Sequence, residues 1–135
     1  MAVQLSVAVR NARLDAIETT AGASAVLKIF SGSAPANCAA ADSGTVLATI
    51  NLPSVWMAAA SSGSKAKSGT WQDLSADNTG TAGHFRVYDS GASTCHIQGV
   101  VSASGGGGDL IVSSTSFTAG QSFTVNMFTM TDGNA

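Results

Sequence analysis

Two histidines, His84 and His96, and two cysteines, Cys38 and Cys95, are the side chains of this chain best suited to metal or nucleophilic chemistry. Together they have the residue types of a zinc site, but no CxxC or CxxH spacing joins them. His96 directly follows Cys95, and on a strand that sends the two side chains to opposite faces. The spacing therefore predicts ordinary strand residues and no metal site. Cys38 and Cys95 read as two reduced, partly buried thiols, with a disulfide open to them only in an oxidising medium. Asp73 and Asp77 resemble a carboxylate pair for acid–base work. Their setting, QDLSADNTG, reads better as a turn in which Asx side chains bond nearby backbone. No serine sits in a GxSxG elbow or beside a base. The glycine run at 104–109 lacks the Lys-Ser/Thr end of a phosphate loop and reads as a flexible hairpin turn. Trp56, Trp71 and Tyr88 would stack on sugar rings if exposed and fill the core if buried. No residue is assigned a catalytic, cofactor-binding or metal role; the chain is expected to be no enzyme and to need no cofactor.

The elements that would position these residues follow from hydrophobic period. Val7, Leu14, Ile17 and Ala21 make one apolar stripe at helical spacing, so a helix is expected over 6–21, with Ser6 as N-cap and Gly22 just past its end. Arg10, Arg13, Asp15 and Glu18 lie off that stripe. After Gly22 the period changes to two. Strands are expected over 25–30, 45–52 (ended by Pro53), 67–74, 83–88, 94–102, 110–115 and 121–131. In the last of these, Phe123, Val125 and Met127 share one phase while Phe128 and Met130 take the other. Either a β-bulge near Met127–Phe128 re-aims the side chains, or both faces are covered, one by a partner. Short strands, glycine-rich turns and one leading helix predict a mainly β chain: an antiparallel β-sandwich, jelly roll in topology, with a short N-terminal helix. Residues 1–135 are expected to form one domain, with 1–22 as a helical segment or arm.

Composition narrows the function. Of the 135 residues only 10% are charged, against about a quarter in a typical globular domain. A surface so poor in charge suits a protein whose working state is assembled. The net charge of −2 and the scattered basic residues argue against a nucleic-acid partner. The apolar N-terminal stretch precedes Arg10 and Arg13, the wrong order for a secretory signal. No apolar run approaches the roughly 20 residues that span a bilayer, so no membrane partner is expected.

Six stretches form a recognisable set: SVAVRNARLDAIETTAGAS, the segment from Lys28 to Ala41 containing PANCAA, WMAAASSGSKAKSGTW, GHFRVYDSGASTCHIQG, SASGGGGDL and AGQSFTVNMFTMTDGNA. Together they resemble a family of small virion proteins from tailed bacteriophages and prophages. The resemblance implies a capsid cement or decoration subunit that stabilises the head lattice. It would be a homo-oligomer contacting the major capsid protein, located in the virion after assembly in the host cytoplasm. Phe128, Met130, Arg10 and Arg13 are the expected interface residues. A tail- or fibre-associated module that binds a host glycan or receptor, through a cleft around Trp56 or Trp71, is the alternative.

Overall fold

Helix α1 (Val7–Ala21) starts where expected: the Ser6 hydroxyl accepts from the Val9 amide at 3.2 Å, and Gly22, at φ +91°, donates its N–H to Glu18 O. In the computed structural model, which describes residues 3–133, nine strands follow. They are β1 (Val26–Ser31), β2 (Val46–Asn51), β3 (Ser64–Ala66), β4 (Gln72–Asp73), β5 (Gly80–Tyr88), β6 (Cys95–Ala103), β7 (Leu110–Val112), β8 (Ser116–Phe117) and β9 (Phe123–Thr131). They form one curled sheet in the order β2-β1-β5-β6-β7-β9-β3, with β4 also on β9 and β8 also on β5. Of the expected strand at 67–74 only β4 forms, and β3 and β8 were not expected from the sequence.

The sheet is mixed, which corrects the expectation of a wholly antiparallel one. β6 and β7 pair in parallel, Val101 opposite Leu110 and Ala103 opposite Val112. Parallel neighbours normally need a crossover of about a dozen residues or more. Here the glycine run at 104–109 is not a hairpin turn; it folds the chain back alongside Ser102 before β7 begins. Gly105 and Gly107 adopt positive φ, and a Cβ on Gly106 or Gly108 would lie 2.7 Å from the Ser102 side chain. Asp109 locks the return, its N–H donating to Val100 O (2.8 Å) and its Oδ2 accepting from Val100 N–H (2.9 Å).

Curling encloses an aromatic core. Trp56 and Trp71 are fully buried, with ring centroids 6.1 Å apart; Trp71 meets Phe128 at 5.6 Å, and Phe128 meets Phe85 edge-on at 5.5 Å. Both indole N–H groups are satisfied by backbone, Trp56 by Gly22 O and Trp71 by Ser68 O.

Both ends of the strand order are closed by polar groups, so neither exposes a free ladder. At the β2 end, Thr49 N–H donates to Asp73 Oδ2 (3.1 Å), Leu47 O accepts from Asp77 N–H (2.8 Å), and Val46 O accepts from the Asn78 amide (2.7 Å). Asp73 and Asp77 thus do turn and edge work, as their sequence setting suggested. At the β3 end, residues 57–61 fold back on 64–67. The outer amides of that ribbon are taken by α1: Met57, Ala60 and Gly63 N–H donate to Glu18 Oε2, Asp15 Oδ1 and Asn11 Oδ1 at 2.8–3.0 Å. Three acceptors at +4 and +3 spacing act as a surrogate strand.

Lys65 completes this join. Its side chain is buried, and Nζ meets Asp15 at 2.7 Å, Glu18 at 3.2 Å and Ala58 O at 2.9 Å. Burial pushes the ammonium pKa down, but the hydrogen bonds it donates to Asp15 and Glu18 outweigh it and hold the group above the ordinary lysine value. The contribution of this raised group is complete at neutral pH and lost only as pH climbs through the lysine range. Replacing Lys65 with Ala leaves two carboxylates facing each other beside a cavity. Lys65→Ala is expected to cost about 3–5 kcal/mol in urea unfolding.

Candidate functional site

The leading helix, expected as a segment or an arm, is docked on its own chain. Leu14 and Ala21 of the expected stripe are buried and Ile17 is half-buried, but Val7 is exposed. The two candidate interface arginines point at the end of β9. Arg10 Nη1 donates to Asp132 O (3.2 Å), and Arg13 Nε pairs with the Asp132 carboxylate at 3.1 Å. Between α1 and the sheet lies an open cavity of about 410 Å³, floored by Leu14, Ile17, Phe85, Ile97, Phe128 and Met130.

The phase slip in β9 is a bulge. Leu110 pairs with Phe128 and Ile111 with Met127, but Val112 pairs with Val125, so Asn126 is the extra residue. Phe123 and Val125 point inward before it and Phe128 points inward after it. Phe128 is therefore a core residue and Met130 packs against the core from a half-buried position. Neither is the exposed contact that the sequence predicted. The bulge turns Met127 outward instead, to 58% exposure.

Met127 belongs to a larger surface. It lies opposite Ile111, which lies opposite the pair position of Ser102, two residues from the exposed Val100; Thr129 lies opposite Ala66 on β3. Val100, Ser102, Ile111, Met127, Thr129 and Ala66 thus share the outer face of β6-β7-β9-β3, and none carries a charge. Each of the eight carboxylates takes an intramolecular hydrogen bond or ion pair, that of Asp109 with the N–H of Val100 at the rim of this face.

The outer face of β1-β5-β6 is covered by the strap at 32–44, organised by Arg86. That side chain is buried on β5 and pairs with Asp42, while Nη2 donates to the carbonyls of Asn37, Cys38 and Ala40 at 2.9–3.2 Å. Tyr88 O–H also donates to Asp42. Burial pushes the Asp42 carboxyl up, but the hydrogen bonds from Tyr88 and Arg86 outweigh it and hold it below the ordinary carboxylate range. Cys38 and Cys95 both line the adjacent cleft of about 390 Å³. The sequence reading did not single out Arg86 or Asp42. A signal was present: His84, Arg86 and Tyr88 alternate with Phe85 and Val87, so β5 has two faces to cover.

Of the four metal-type side chains, the fold brings together the two cysteines. His84 is buried on the strap side, stacked 5.0 Å from Phe30, with Nδ1 2.8 Å from Gly32 O. His96 faces Arg13, Ile17 and Thr20 of α1. Among the described residues no group of three or more His, Cys, Asp or Glu side chains is placed to hold a metal ion. Trp56 and Trp71 are buried, and Tyr88 packs under Lys28 and Arg86, so the expected aromatic cleft for a glycan is not formed by these residues. No helix among the described residues is long and apolar enough to cross a membrane.

Since the Asp42 carboxyl is depressed on folding, its contribution is complete above the ordinary carboxylate range and lost as pH falls through it. Asp42→Asn is expected to lower the melting temperature at neutral pH and to flatten its decline between about pH 5 and pH 2. Parallel curves for variant and wild type in circular dichroism melts would contradict that assignment.

Comparison with known proteins brings no relative to bear: no protein-family model, no curated protein and no solved structure matches the chain.

Proposed function

We propose that this chain is a bacteriophage virion structural protein, a capsid cement or decoration subunit that acts as a homo-oligomer beside the major capsid protein. The observation that carries the reading is the uncharged outer face of β6-β7-β9-β3, with Val100 and Met127 each more than half exposed. A surface of this kind is suited to being covered, because desolvating it removes apolar area from water without stripping charges. Strand addition is disfavoured as a mode of assembly, since Asp73, Asp77 and Asn78 occupy one end of the sheet and α1 the other. Contact through the face is what remains, and the first occupant is a second copy of this chain. The curled sheet stands in this reading for the jelly-roll shell expected from sequence. The six stretches that resemble small phage virion proteins supply the context.

The test has two arms. In sedimentation equilibrium the wild type is expected to self-associate, and Met127→Asp combined with Val100→Asp to weaken association at least tenfold, about 1.4 kcal/mol. The far-UV spectrum and melting temperature should be unchanged, whereas Phe128→Asp should unfold the chain. In purified particles, quantitative mass spectrometry is expected to find hundreds of copies, in fixed ratio to the major capsid protein. A monomeric wild type that is absent from particles would sink the proposal.

A further inference from the structure

We propose that Cys38 and Cys95 are a redox pair that closes into an intrachain disulfide on exposure to a small-molecule disulfide oxidant, fastening the strap at 32–44 to β6. The two residues come from distant parts of the chain and meet at one cleft, which they line with Asp42, Arg86 and Tyr88. Cys38 lies close enough to Cys95 to raise its thiol pKa, the Cys95 Sγ–H donates to Ile97 O at 3.3 Å, and both residues are half-buried, which leaves them within reach of a small reagent. The approach is built by other groups. Arg86 Nη2 holds the Cys38 carbonyl at 2.9 Å, and Cys95 begins β6 opposite Tyr88, whose hydroxyl binds the same Asp42 that pairs with Arg86. Burial, with the Cys38 sulfur beside it, pushes the Cys95 thiol up to about 11, so Cys95 rests as a protonated thiol at neutral pH. The Arg86 guanidinium beside it favours the thiolate that starts exchange and disfavours a bound metal cation.

With oxidised glutathione the chemistry balances through two exchanges. One cysteine thiolate attacks the glutathione disulfide, forming a mixed disulfide and releasing one glutathione. The second cysteine then attacks the protein-side sulfur of that mixed disulfide, forming the Cys38–Cys95 bond and releasing the other glutathione. The S–S bond of the oxidant is broken, both cysteine protons end on the two released thiols, and two electrons pass from the protein to glutathione. The resulting cross-link closes a long loop, the case in which a disulfide restricts the unfolded chain most.

The full chain is incubated with oxidised glutathione and mapped by non-reducing tryptic mass spectrometry. Expected are a mass loss of two hydrogens, a linked peptide pair containing Cys38 and Cys95, and a melting temperature raised by roughly 10 °C over the reduced protein. Cys38→Ser and Cys95→Ser should each stop at a single glutathione adduct and melt like reduced wild type, a control that both variants fold. The proposal is overturned if wild type keeps two maleimide-reactive thiols, carries two glutathione adducts, forms disulfide-linked dimers, or cross-links without a rise in melting temperature.

Discussion

The ion cluster around Lys65 is the constraint on which the rest of the architecture depends. A sheet of short strands must end somewhere, and at the β3 end the ribbon at 57–67 would leave a row of unpaired amides. Helix α1 supplies the missing acceptors through Asn11, Asp15 and Glu18. A helix that offers three carbonyl-type side chains to a backbone edge brings two negative charges with it, and Lys65 neutralises both from inside the ribbon. The cluster explains why an ammonium is buried at all: without it, the helix and the sheet edge would repel each other's remaining partners or stay solvated.

Arg86 does the equivalent work on the opposite face. The strap at 32–44 has no large apolar side chain of its own, and its carbonyls converge on one guanidinium whose counter-charge, Asp42, comes from the same strap. Two buried cations thus hold the two non-strand coverings of the sheet, α1 and the strap. The low charge content takes on a sharper meaning. Most of the few charges fasten one part of the chain to another, and the side chains of the outer face of β6-β7-β9-β3 carry none. An outer face whose own side chains are uncharged suits an assembled subunit and gives the proposed function its physical basis.

Close approach of backbone governs the remainder. At Gly83 a Cβ would lie 2.1 Å from Gly32 O, so the strap crosses β5 where only glycine leaves room. The same economy of space lets 104–109 turn back on Ser102 and set β7 parallel to β6. Without that turn β7 could not present Leu110 and Val112 to the core while Ile111 faces outward beside Met127.

By itself the sequence determined the local elements: Ser6 and Gly22 bound the helix, alternation located most strands, and the slipped phase of β9 marked its bulge. Those features are encoded by nearest neighbours and side-chain period. Which way the slip resolved was settled only in three dimensions, because Phe128 and Met127 are both apolar and either could have faced the core. Tertiary structure chose Phe128, whose ring fills the space between Trp71 and Phe85. The parallel β6-β7 pair, the meeting of Cys38 with Cys95, the burial of Lys65 and Arg86, and the pairing of Arg10 and Arg13 with Asp132 were likewise decided by the fold. A charged residue reads as solvent-exposed until its partner is known, and here Asp15, Glu18, Asp42 and Asp132 lie far away in the chain.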